Sequence, residues 1–283
     1  MDAATLRSRS RTLRDLIEPI AANVYFAPEA QAAYAELGLD YGPGYFCSRG
    51  GCLGRPPGHV VQAAFAVFSP TFVLPSVETG WSKTTPEAIL DARLQGAVAS
   101  LERILGGVPE GVKRATELLR RAADAGTPEG RPLYAGLSSL GFPGDPLGDL
   151  WRAADLVREH RGDSHTCAWV AAGVDACQIT LLTELWWRIP LGRYVPTRGF
   201  SPDEIAAGIA DLEERGLVAG GEFTPIGEAL RASIEEATDN GERKLLAAVG
   251  DDTEELFALL APWTDAVLEA KGYPADPRLT SRP

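Results

Sequence analysis

The sequence is short of positive charge, of cysteine and of uninterrupted apolar runs, and each shortage excludes a class of protein. Across 283 residues the formal net charge is −12. A nucleic-acid partner held mainly through phosphates needs a basic surface, so DNA is not expected as a partner. The local exception is a basic arm near the start, Arg7, Arg9, Arg11 and Arg14. Four cysteines, Cys47, Cys52, Cys167 and Cys177, do not make a secreted disulfide framework. Cys167 and Cys177 are ten residues apart on one expected helix, about 15 Å along its axis, too far to bridge. Cys47 and Cys52 could close a bridge, but an intracellular setting disfavours it, so four free thiols are expected. No apolar leader follows Met1, and Asp175, Gln178 and Glu184 interrupt the apolar run after Cys167. A cytoplasmic protein with no membrane span is therefore the expectation. No phosphate loop, dinucleotide fingerprint, nucleophile elbow or internal repeat is present, and no cofactor is expected.

What is present is helix. Ala- and Leu-rich segments with helical spacing dominate, while alternating β-branched runs are scarce. The expected fold class is mainly α: a helical domain over residues 1–192, then a C-terminal winged helix-turn-helix module over 193–283 with a small β-hairpin wing. Thr85-Pro86 and Ser201-Pro202-Asp203-Glu204 read as helix starts, the second a capping box with proline at N1. Leu217 to Thr224 reads as the hairpin. Asp40 to Gly54 is glycine-rich enough to predict a loop, and Thr127 to Gly148 a hinge.

The densest chemistry lies between Leu150 and Trp187, where Glu159-His160-Arg161-Gly162-Asp163-Ser164-His165 joins two apolar helical segments. Gly162-Asp163 predicts a break, with Ser164 capping a second helix that continues through Leu185. A charged loop meeting an apolar helix is the setting of a candidate site.

Two resemblances follow from particular segments. IADLEERGLVAGGEFTPIGEALRASIEE resembles the recognition helix, wing and following helix of MarR-type regulators. VYFAPEA, GYFCSRGGCLG, TTPEAILDARL, GRPLYAG, LWRAADLVREHRGDSH and LEERGLV with TPIGEALR resemble an actinobacterial helix-turn-helix family of similar length. That resemblance spans nearly the whole chain and implies fold more than activity. It also implies small residues where Cys47 and Cys52 stand, and a glutamate near Gln178.

Three functions are compatible with these residues. The leading one is an enzyme acting on a small organic molecule, with secondary metabolism as a setting, by acid–base chemistry. In it His160, Asp163, His165 and Glu159 are catalytic, and Arg161 holds an anionic substrate. Arg49, Ser48 and Tyr45 from the glycine loop, with His59 and Trp81, complete substrate binding. Zinc held by the carboxylates and histidines is the alternative use of that cluster, though its spacing matches no standard zinc motif. The other functions are a MarR-like, ligand-responsive transcriptional regulator and a non-catalytic small-molecule-binding protein, and a homodimer is compatible with each. Against DNA reading, residues 201–216 carry Asp203, Glu204, Asp211, Glu213 and Glu214 against Arg215 alone. On that count the winged helix is expected to be a structural module.

Overall fold

The computed structural model describes residues 1–274; the last residues of the expected C-terminal module lie outside them. Apart from one antiparallel pair of short strands, the regular structure of the described residues is helical. The order is α1 (Ala3–Ala22), α2 (Pro28–Glu36), α3 (Tyr41–Gly50), α4 (Gly58–Phe65), α5 (Pro70–Lys83), α6 (Pro86–Leu105) and α7 (Val112–Asp124). Then come α8 (Pro132–Ser138), α9 (Pro146–Ala171), α10 (Ala176–Trp186) and α11 (Pro202–Glu214). The strands β1 (Val218–Ala219) and β2 (Glu222–Phe223) precede α12 (Pro225–Gly241), α13 (Arg243–Val249) and α14 (Thr253–Glu269).

Helix starts follow the caps written in the sequence. Thr85 accepts the Ala88 N–H with Pro86 at N1, and Ser201 with Glu204 forms the expected capping box. Each such cap satisfies a backbone N–H that has no partner inside its helix.

Three expectations need correction. First, Tyr41–Gly50 is a helix, not a loop. Its glycines serve close approach to neighbouring helices: a Cβ at Gly44 would meet the Tyr34 ring of α2 at 3.0 Å, and one at Gly42 the Phe72 ring of α5 at 3.1 Å. Second, Gly162-Asp163 breaks nothing. Helix α9 runs unbroken for 26 residues, and the Ser164 hydroxyl donates to the His160 carbonyl within it. The turn comes later, at Gly173 with φ 71°, and Asp175 caps α10. Cys167 and Cys177 consequently lie on different helices. Third, the expected hinge from Thr127 to Gly148 contains α8.

Helix α9 packs against α1, α6, α7, α8 and α12. Around its first half lies a large apolar core that includes Leu13, Ile17, Phe46, Leu118, Trp151 and, returning from the C-terminus, Leu246 and Leu260. A second apolar cluster begins at Trp169 and joins Ile179, Leu182, Val195, Leu212, Val218 and Ile234. It holds α10, α11, the hairpin and α12 together. No single helix among the described residues is long and apolar enough to cross a membrane, and α9 with α10 reach that measure only as a pair bent by 108°.

All four cysteines are free, and Cys167 alone is exposed. Burial pushes the thiols of Cys47 and Cys52 up to about 12 and that of Cys177 up to about 11. Only a thiolate reacts readily with a disulfide reagent. Titration of the native protein with such a reagent is expected to find one fast group, absent in Cys167→Ser, and titration after denaturation to find four.

Candidate functional site

The polar residues of α9 are carried in sequence like a cluster but are spread in space by the helix. Successive positions turn by about 100°, so Glu159 and Asp163 share one face while His160 and His165 look elsewhere. The Glu159 carboxylate takes a bidentate pair from Arg49 of α3, at 2.7 and 2.6 Å, and a third bond from Arg158 at 2.8 Å. Burial alone would raise its pKa, but Arg49 and then Arg158 outweigh that and hold the carboxyl at about 2. His160 Nδ1 lies 2.7 Å from Glu242 at the end of α12. Arg161 donates to Ser10 of α1 at 2.8 Å and pairs with Asp239 of α12 at 3.0 Å. His165 Nδ1 meets the Thr238 hydroxyl at 3.0 Å, and burial, then Arg231, pushes its pKa down to about 4.

Asp163 has a different task. Its carboxylate accepts the backbone N–H groups of Leu133 and Tyr134, at 2.9 and 3.0 Å, where α8 begins. A carboxylate at a helix N-terminus satisfies donors that the helix leaves over. Burial and the nearby Glu159 charge nevertheless raise its pKa to about 7.

The four residues expected to act together, Glu159, His160, Asp163 and His165, thus address α3, α12, α8 and α12 again. Among the described residues no three His, Cys, Asp or Glu side chains gather as metal ligands. The substrate-binding group divides as well. Tyr45, Ser48 and Arg49 lie on α3, where Arg49 reaches Glu159 and the buried Ser48 hydroxyl donates to the Tyr45 carbonyl. His59 and Trp81 instead line a separate groove of about 340 Å³ with Leu74, Val77 and Glu78.

Two arrangements escaped the sequence reading. Arg93 and Asp155 form a fully buried pair at 2.8 Å, with Arg93 also donating to the Tyr25 hydroxyl. The second centres on Glu184, 0% exposed near the end of α10. Its carboxylate accepts the backbone N–H groups of Gly192 at 2.7 Å, Val195 at 2.8 Å, and Tyr194. The signal was available, since Glu184 is a lone acid in an apolar segment just ahead of a loop.

The loop that Glu184 holds connects α10 to α11. From residue 187 to 201 it contains Arg188, Arg193 and Arg198 and no aspartate or glutamate. Arg188 and Arg193 are exposed. Arg198 turns back onto the body: its guanidinium lies over the rings of Phe68 and Tyr194, and its carbonyl accepts the Ser69 N–H. The outer side of α11, by contrast, shows Asp203, Ala206, Ala207, Ala210, Glu213 and Glu214. The basic arm on α1 is largely paired within the molecule, with Arg7 left about half exposed. Arg9 pairs with Glu254 and Arg11 with Asp239, while Arg7 and Arg14 approach Glu236 and Glu235 at 3.9 Å.

A family model described as a helix-turn-helix family matches residues 10–274. No curated protein and no solved structure matches the chain. The family match overturns the leading enzymatic reading, because it points to DNA binding or regulation rather than to catalysis, and it brings DNA back as a partner to be tested.

The α9 network has a pH signature of its own. Asp163 rises from an ordinary 3.8 to about 7 in the folded chain, so its contribution to stability is complete below 3.8 and is lost as pH rises through about 7. His165, lowered from 6.5 to about 4, acts below 6.5 with the opposite sign. Between about pH 6.5 and 8 the Asp163 effect, a loss of about 1 kcal/mol in unfolding free energy, is the larger of the two and is partly offset by the remainder of the His165 effect. Asp163→Asn, whose amide oxygen can still accept both N–H groups, keeps the His165 effect, so urea unfolding at the two pH values should show the wild type losing about 1 kcal/mol relative to the variant between them.

Proposed function

Because the chain belongs to a helix-turn-helix family, we propose that it is a regulator that meets DNA through the arginine-bearing connection between α10 and α11, with a small-molecule site in the helical body as its input. The observation that carries this reading is the fifteen-residue interval from 187 to 201, the stretch before α11 that has three arginines, two of them exposed, and no acid. In a protein of net charge −12, such a segment concentrates the positive field where a duplex would approach.

The order α11, hairpin, α12 is that of recognition helix, wing and following helix in MarR-type regulators, and it supports a winged-helix reading of residues 202–241. The charge does not support deep insertion of α11. Its outer side carries acids beside small alanines, and phosphates on both walls of a major groove would repel them. Contact through the preceding turn avoids that repulsion. Arg188 and Arg193 then face phosphates, and the Glu184 clamp fixes the backbone that presents them.

Fluorescence anisotropy with duplex DNA from upstream of the protein's own gene tests the proposal. Binding is expected at low salt and should weaken as salt rises. The double variant Arg188→Ala/Arg193→Ala should lower the log–log salt slope by about 1.8, or about 0.9 for each phosphate no longer neutralised. No binding at low salt, or an unchanged slope in the double variant, would overturn it.

A further inference from the structure

The connection that carries Arg188 and Arg193 ends beside a groove of the opposite charge. Between the start of α10 and α11 lies a cavity of about 380 Å³, floored by Cys177, Phe200, Ala207 and Gly208 and edged by Asp175, Glu204 and Asp211. Glycine at 208 lets α11 come this close to α10, since a Cβ there would meet the Cys177 sulfur and the Leu181 side chain, each at 3.1 Å. The acids have local hydrogen bonds but little opposite charge. Asp175 accepts the Gln178 N–H, and Glu204 accepts the Ser201 N–H. Arg215 reaches Asp211 at 3.5 Å, and among the described residues no cation pairs with Asp175 or Glu204.

The loop shows the inverse pattern. Arg188-Ile189-Pro190-Leu191-Gly192-Arg193 sets an apolar stretch between two cations, with Arg188, Pro190 and Arg193 exposed. Neither arginine side chain meets a carboxylate among the described residues. Loop and groove adjoin, because Phe200 belongs to the loop and to the groove wall at once. A surface that sets a cationic, apolar tip beside an acidic, apolar-floored groove is complementary to itself under a two-fold rotation. We propose that two copies of this chain exchange these features, the tip from Arg188 to Arg193 of each docking in the α10–α11 groove of the other. One exposed ion pair contributes little. The two-fold repeats every pair, and covering the apolar tip and floor adds to them. The product is a weak dimer that salt dissolves. It occupies the arginines offered to phosphates, so self-association and DNA binding exclude each other. This last consequence rests on the regulator reading; the association itself does not.

Sedimentation equilibrium of the full chain, without DNA, is the test. At about 10 mM salt, where charges act over about 30 Å, the mass should climb from monomer toward dimer as protein is raised to about 0.5 mM. At about 1 M salt, where they act over about 3 Å, it should stay near that of the monomer. Arg188→Glu/Arg193→Glu and Glu204→Lys/Ala207→Lys should each weaken association at least about tenfold. In the second variant Ala207 is an exposed position, and the Ser201 hydroxyl still accepts the backbone N–H at 204. Mixed one to one, the two variants should associate again, because the glutamate tip then faces the lysine groove and the arginine tip the acidic one. Recovery on mixing also shows that both are folded. A wild type that stays monomeric at about 0.5 mM in low salt, or variants that do not recover on mixing, would overturn the proposal. So would a monomer whose groove takes up a lysine-rich peptide, which assigns the groove to another protein. Anisotropy with duplex DNA is read separately: Glu204→Lys/Ala207→Lys should bind at least as tightly as the wild type. If neither binds DNA, the regulator reading falls and the dimer stands.

Discussion

Buried arginine–carboxylate pairing along α9 is the constraint on which this molecule depends. A 26-residue helix lies at the centre of the body and carries Asp155, Glu159, Arg161 and Asp163 into it, each buried. Charges in such a place are tolerable only when matched and hydrogen-bonded, and removing one partner of a buried pair typically costs about 3–5 kcal/mol. The matching groups come from distant parts of the chain: Arg49 from α3, Arg93 from α6, Asp239 from α12. Each pair specifies which face of a neighbouring helix must lie against α9, and at what height. Apolar packing supplies the driving force for the helices to assemble. The ion pairs add register, since a helix shifted by one turn would strand two charges.

That division of labour accounts for what could be read in advance. Helix starts at Pro86, Pro202 and Pro225 follow from local chemistry, a capping hydroxyl with proline behind it, and so were visible in a few adjacent residues. The helical state of Tyr41–Gly50 was not visible, because its glycines are there for tertiary contacts that no local pattern reveals. Gly162-Asp163 misled for a related reason. A glycine–aspartate pair does end helices at a surface, but here burial on both sides and the demand of α8 for an acceptor keep Asp163 helical. The identity of the titratable residues on α9 was legible; their common purpose was not. Expecting a loop gathered them into one site, whereas a continuous helix sends Glu159 to Arg49 and His160 to Glu242.

The same distinction separates the two candidate surfaces of the C-terminal unit. Counting charge on α11 gives an acidic helix, which holds in the folded chain because its outer side is lined by alanine and acid. The count says nothing of the preceding loop, whose arginines are few but undiluted. Family membership assigns the chain to helix-turn-helix proteins without assigning a contact surface. Physical chemistry narrows it, since phosphates favour Arg188 and Arg193 over Glu213 and Glu214. On α1, Arg9 and Arg11 already pair with Glu254 and Asp239.

The Glu184 clamp carries an evolutionary consequence. Its three partners are main-chain N–H groups of Gly192, Tyr194 and Val195. A loop secured through its backbone keeps its course under changes at its exposed side chains, as long as no proline removes one of those donors and glycine stays at 192 and 199, where φ is 83° and 84°. Exposed positions such as 188 and 193 are thereby released from any duty to hold the loop together. On the regulator reading proposed above, recognition could then be rewritten by single substitutions at the tip while the scaffold beneath stays as it is.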